Sequence, residues 1–94
     1  YFLVGQVGDG NFHFGYLIDP ASPTERGQAE QLNHRLVARA LQLGGTCTGE
    51  HGVGIHKMGF LREEAGEGAV GVMRAIKQAL DPKNILNPGK IFAL

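Results

Sequence analysis

The sequence predicts an α+β fold, an antiparallel β-hairpin with helices packed on one of its faces. Three observations lead there. Two apolar runs flank a Gly8-Asp9-Gly10-Asn11 turn near the start, which is a hairpin pattern. A stretch opening at Ser22 carries a helix-start signature, followed by apolar residues at spacings of three and four. Beyond a glycine-rich segment, further helical periodicity runs up to Asp81-Pro82, where the residue before proline disfavours the α region.

The hairpin strands are expected over Tyr1–Val7 and Phe12–Ile18. Alternation puts Phe12, Phe14, Tyr16 and Ile18 on one face, and Val4, Gln6, His13 and Gly15 on the other. With Gly8 to Asn11 as a four-residue loop, Val7 faces Phe12 and Gln6 faces His13, with Cβ atoms about 5 Å apart. Gln6 and His13 are then placed to grip one ligand together. Asp19-Pro20 ends the second strand. Ser22-Pro23-Thr24-Glu25 next supplies an N-cap, a proline at the first helical position and the glutamate of a capping box. The helix that follows carries Ala29, Leu32, Leu36, Val37, Ala40 and Leu43 as one stripe directed at the sheet, until Gly44-Gly45 stops it.

The segment Gly44-Gly45-Thr46-Cys47-Thr48-Gly49-Glu50-His51-Gly52-Val53-Gly54 is the densest in chemistry. Glycines this close together cost backbone entropy, and occur where a chain turns sharply or a ligand approaches the backbone. They carry Glu50, a potential metal ligand, and His51, a potential general base. A short helix is expected over His56–Glu64 and a longer one over Glu67–Leu80, with Val70, Met73, Ile76 and Leu80 on one side. The tail from Asn84 to Phe92 has a Pro88-Gly89 turn and no helical period.

Composition narrows the function classes. The chain has 94 residues, 43% of them hydrophobic, which suits one small domain with a modest core. Lys+Arg and Asp+Glu are both 9, so the electrostatic footprint of a nucleic-acid binder is missing. No apolar run reaches the length of a membrane span and no signal-peptide pattern opens the chain, which points to a soluble, cytoplasmic protein. The start at Tyr1, already inside a strand, reads as a piece of something longer. The single cysteine, Cys47, excludes an internal disulfide, and between two threonines it reads as packing rather than as a nucleophile. His34 is expected on the surface, and His56 exposed. Arg62, Glu63 and Glu64 read as a solvated charge run.

Three motifs in order, Gly8-Asp9-Gly10-Asn11-Phe12-His13, then Gly45 to Gly54, and finally Leu80-Asp81-Pro82 with Ile85-Leu86-Asn87-Pro88-Gly89-Lys90, give the chain a resemblance. It resembles the C-terminal segment of the FAD-linked oxidases of the vanillyl-alcohol oxidase superfamily, in the branch of D-lactate dehydrogenase, glycolate oxidase and D-2-hydroxyglutarate dehydrogenase. The resemblance implies a single C-terminal cap fragment over residues 1–94, part of a ferredoxin-like cap domain. A separate FAD-binding domain, absent from this chain, would be its partner. It further implies oxidation of a small D-2-hydroxy acid to the 2-oxo acid, with His51 as base and hydride passing to the flavin. His13 and Glu50 match metal ligands, Gln6 and Asn11 fall at the substrate, and Glu50, His51, Asn87 and Lys90 face the cofactor.

One position departs from the family pattern, which has His where this chain has Gln6. An amide oxygen is a poor zinc ligand, which puts the metal, Zn, Mn or Mg, in doubt and leaves Gln6 as a donor to the substrate carboxylate. Without a flavin domain the isolated chain is expected to be inactive, and its exposed apolar surfaces are expected to drive self-association. Two readings of other classes compete, a stand-alone metal-dependent hydrolase built on His13, Glu50, His51 and His56 and a small anion-binding module. The latter lacks the strand, glycine turn and helix context of a phosphate loop.

Overall fold

The computed structural model describes all 94 residues, Tyr1 to Leu94. The chain divides into two compact units, Tyr1–Gly44 and Gly45–Leu94.

In the first unit, β1 (Phe2–Gln6) pairs antiparallel with β2 (Asn11–Gly15). The strands are shorter than their apolar runs, and the loop is Val7 to Gly10 rather than Gly8 to Asn11. A 3₁₀ turn over Val7–Asp9 is closed by Gly10, whose N–H donates to the Val7 carbonyl at 3.1 Å from a φ of 69°. A loop of this kind wants its left-handed residue last, and glycine takes that conformation without steric cost. The pairing therefore corrects the expected register: Gln6 lies opposite Asn11, Gly5 opposite Phe12 and Val4 opposite His13. The shift is of two positions, so every side chain keeps its face. Phe14 remains on the aromatic face, with its ring stacked on Tyr1 at a centroid distance of 5.1 Å and tilted against Tyr16 at 5.0 Å.

Helix α1 (Pro23–Gln42) starts where the sequence requires. Ser22 Oγ accepts from the Glu25 N–H at 3.3 Å, but Glu25 does not return the bond to Ser22; its Oε2 accepts from the Asp19 N–H at 2.6 Å. The carboxylate thus ties the end of the hairpin arm to the first turn of the helix, a wider version of a capping box. At the other end Gly44, at a φ of 80°, donates to the Leu41 carbonyl. No residue of α1 is fully buried. Its stripe does not close on the sheet: Ala29, Leu32 and Leu36 line one side of an open groove of about 930 Å³, with Tyr1, Phe14 and Tyr16 on the other.

The second unit is built on α2 (Met58–Leu80), which begins two residues later than expected, so that His56 lies in the preceding turn. Gly66 breaks this helix at φ 79°, ψ 163°, a region open essentially to glycine alone. The break separates the two helices that the periodicity distinguished. Arg62 Nε donates to Glu67 Oε1 across it at 2.7 Å, and Arg74 approaches the other oxygen of Glu67 at 3.7 Å. Val70 is the one fully buried large side chain. The inward face runs from it through half-buried Met73, Arg74 and Lys77 to buried Asp81, while Ile76 and Leu80 are exposed. The expected apolar stripe is corrected here: Arg74 and Lys77 take the place of Ile76 because their head groups reach tail carbonyls, Ala93 O and Leu86 O. No helix is long and apolar enough to cross a membrane.

Gly66→Ala is expected to destabilise the protein by roughly 1–3 kcal/mol, the cost of a strained backbone position, read as a lower urea midpoint. An unchanged midpoint would mean that the two halves of α2 join into one helix without loss.

Candidate active site

In the first unit, the hairpin brings three of the expected site residues onto one face. Gln6 and Asn11 are directly opposite partners, a pairing that places Cβ atoms about 5 Å apart. His13 follows two residues after Asn11 on the same side, diagonal to Gln6. Gln6 and His13 are exposed and Asn11 is half-buried. The face therefore offers two amides and an imidazole, with Asn11 taking the place beside Gln6 that the sequence assigned to His13.

In the second unit, the glycine segment forms irregular turns from Gly45 to Lys57. Gly52, at a φ of 72°, donates to the Gly49 carbonyl at 3.2 Å, and Gly54 follows at a φ of 55°. These two positive φ values reverse the chain twice within three residues, which residues bearing a Cβ rarely do. Nothing lies within 4 Å of where their Cβ atoms would stand, so the backbone itself is open to a ligand. Glu50 and His51 are presented just before these turns. His51 Nε2 stands 3.8 Å from Glu50 Oε1, with both side chains more than half exposed. That is ion-pair range for a protonated imidazole, too long for a hydrogen bond, and worth little to stability at such exposure.

Two contacts of this segment escaped the sequence. Glu64 Oε2 accepts the Cys47 N–H at 2.9 Å and the Thr46 hydroxyl at 3.1 Å, so Glu64, exposed like Arg62 and Glu63, also holds the loop. No periodicity signals a contact across 17 or 18 residues. Its carboxyl is held below the ordinary value, first by the Cys47 N–H. Cys47 is buried, and burial followed by the neighbouring Glu64 pushes its thiol up to about 11. A thiol so seldom ionised is a packing group rather than a nucleophile, as its sequence context indicated.

The tail returns to the same loop. The Asp81 carboxylate accepts from the Ile85 N–H at 3.1 Å, from the Leu86 N–H at 2.9 Å and from the Lys77 ammonium, which also donates to the Leu86 carbonyl. This folds the chain after Pro82 back along α2. The Ile91 N–H then donates to the Gly54 carbonyl at 2.7 Å. Lys90 is thereby delivered beside the glycine segment, while Asn87 occupies a left-handed turn at a φ of 46°; both are exposed. His34 and His56 are exposed as well, on α1 and in the turn before α2.

A hairpin and helix unit is thus followed in sequence by a glycine loop that presents an acid and an imidazole and is backed by a returning tail. The chain belongs to the family of FAD linked oxidases, C-terminal domain, whose model matches residues 1–91. It is 51% identical over 90 residues to the mitochondrial D-lactate dehydrogenase [cytochrome] of Arabidopsis thaliana, a match that covers 96% of this chain and 16% of that protein. It is 56% identical over 90 residues to D-lactate dehydrogenase [cytochrome] 1 of Saccharomyces cerevisiae, covering 96% and 15%. It is 44% identical over 89 residues to the glycolate oxidase subunit GlcD of Bacillus subtilis, covering 95% and 19%. The chain thus spans less than a fifth of the length of these curated relatives. Family membership favours the flavoenzyme reading over the stand-alone hydrolase and the anion-binding module.

Asp81 gives the tail an acid limit. Its carboxyl is held down to about 2, first by the Lys77 hydrogen bond and then by the Leu86 and Ile85 amides. A depressed folded-state value means that the stabilisation is complete above the ordinary value of 3.8 and is lost as pH falls towards 2. Melting temperatures between pH 5 and pH 2 are expected to fall more steeply for the native protein than for Asp81→Asn, which starts lower. Parallel curves would exclude Asp81 as the acid-sensitive clamp.

Proposed function

We propose that this chain is the substrate-facing C-terminal part of an FAD-linked dehydrogenase that oxidises a D-2-hydroxy acid of the lactate or glycolate type to the 2-oxo acid. The observation that carries the reading is the exposed Glu50–His51 pair in a glycine loop, in a chain whose relatives are named D-lactate dehydrogenase and glycolate oxidase. The flavin, when bound, supplies the acceptor for the hydride that leaves the substrate carbon. The open backbone at Gly52 and Gly54 suits a flat ring, and Glu50, His51, Asn87 and Lys90 are the side chains assigned to that side.

His51 takes the hydroxyl proton at Nε2, where the imidazolium that results is attracted by Glu50 Oε1. Loss of that proton lets the carbon release hydride far more readily than a neutral alcohol does. Gln6 and Asn11, opposite one another on the hairpin, bind the substrate carboxylate through their amide N–H groups. His13 and Glu50 are assigned to a divalent cation, and an imidazole with a carboxylate is a donor set that fits Zn or Mn. Gln6 in place of an imidazole moves the preference towards the harder Mn or Mg. When held, such an ion lowers the proton affinity of the hydroxyl and orients the substrate. Exposed apolar side chains, including Tyr1, Val7 and Leu80, supply surface for the FAD-binding partner and for association between copies.

In the full-length flavin-loaded protein, D-lactate or glycolate is expected to bleach the visible flavin bands, whereas the 94-residue chain alone is colourless and inactive. His51→Gln is expected to slow bleaching roughly 10²- to 10⁴-fold, the usual worth of a positioned base. Bleaching at the native rate in that variant would remove His51 from the chemistry, and a flavin that no D-2-hydroxy acid bleaches would overturn the substrate class. Elemental analysis is expected to find one divalent ion per chain, lost in both His13→Ala and Glu50→Gln. A fully active protein without such an ion would end the metal assignment and leave Gln6 and Asn11 as the carboxylate site.

A further inference from the structure

We propose that Glu64 is a positioning residue for the Glu50–His51 loop, acting through the Cys47 N–H and the Thr46 hydroxyl. The inference rests on the reading of His51 as the base. Glu64 touches neither Glu50 nor His51 through these bonds; it holds the loop three residues before them. The segment that bears Glu50 and His51 contains Gly49, Gly52 and Gly54, and a chain with so few side chains has little packing of its own to define its course. Polar contacts from outside the loop hold it at both ends. At the entry, one carboxylate oxygen of Glu64, on α2, accepts two bonds, at 2.9 Å from Cys47 N and 3.1 Å from Thr46 Oγ1. At the exit, Ile91 N–H meets the Gly54 carbonyl at 2.7 Å, with Ile91 at a φ of 70°, a conformation that a β-branched residue adopts only under constraint.

Two bonds converge on one oxygen at the entry, against a single bond at the exit. The origin of the entry clamp on α2 matters. Glu64 lies in the helix two residues before the break at Gly66, and Arg62 and Glu67 pair across that break. The clamp therefore refers the loop to a rigid element rather than to another loop. A base must stand within hydrogen-bond reach of the proton that it removes, and a displacement of about 1 Å can cost up to roughly 100-fold in rate.

The test uses the full-length flavin-loaded protein. Glu64→Ala is expected to lower kcat roughly 10- to 100-fold with KM within about twofold, and to speed amide exchange in peptides covering residues 48–57, which include the Gly52 N–H that Glu64 does not touch. Glu64→Gln keeps a carbonyl oxygen at the same reach and is expected to restore most of kcat and of the protection. Thr46→Val removes one of the two bonds and also the Thr48 N–H bond to the same hydroxyl, so its exchange is read at residues 49–57; it is expected to move both readouts the same way by less, and it decides the matter if Glu64→Ala fails to fold. Unchanged exchange in Glu64→Ala, or equal losses of kcat in the Ala and Gln variants, would overturn the proposal, the second because it would make the charge rather than the placement responsible. The two readings fail separately. Exchange needs no turnover, so native activity in His51→Gln would sink the base assignment and leave the loop measurement standing, whereas a loop still protected in Glu64→Ala would sink the clamp and leave His51 in place.

Discussion

Asp81 closes the second unit, and most of what that unit does follows from this one carboxylate. Apolar burial alone is thin there: Val70 is fully buried and Cys47 nearly so, while Ile76, Leu80, Ile85 and Leu86 stay exposed. A chain with this little core must be held by directional contacts. At the end of α2, Asp81 takes two backbone N–H groups and the Lys77 ammonium at once. One carboxylate satisfies both of these backbone donors at the point where Pro82 disfavours a further helical turn. The direction that the tail takes afterwards, and hence the return of Ile91 to Gly54, depends on that turn.

Glu64 repeats the same physics at the other end of the loop. Both acids accept backbone amides from a segment with no regular structure, and both are held to their ionised form by those amides or by a cation beside them. The chain thus uses acids in three ways. Asp81 and Glu64 shape backbone, Glu67 bridges the arginines on either side of a helix break, and Glu50 stands more than half exposed beside His51. Residue type does not separate these uses; surroundings do.

Much of the fold was legible because its signals are local. Ser22 and Pro23 start α1 and Gly44 stops it, since capping and left-handed turns depend on residues a few positions apart. Asp81-Pro82 ends α2, and the change of periodicity around Gly66 marks a real break. The faces of the hairpin were legible as well, because alternation survives an even shift of register. The register itself was not, since two four-residue loops one residue apart fit the same string, and the choice fell to the conformation of Gly10. The inward face of α2 also escaped. Counting apolar residues selects Ile76, whereas the tail carbonyls select Arg74 and Lys77.

The sequence by itself determined the elements, the family and the chemical inventory of the site, because caps, turns, alternation and the three motifs are all written within short spans of the chain. Only the tertiary structure decided that Asn11 rather than His13 stands opposite Gln6, that Glu64 grips the loop bearing Glu50 and His51, and that Ile91 closes that loop from the tail. These are hydrogen bonds between segments up to tens of residues apart. Their partners are chosen by which donors the fold leaves unsatisfied, and no pattern along the chain records that choice.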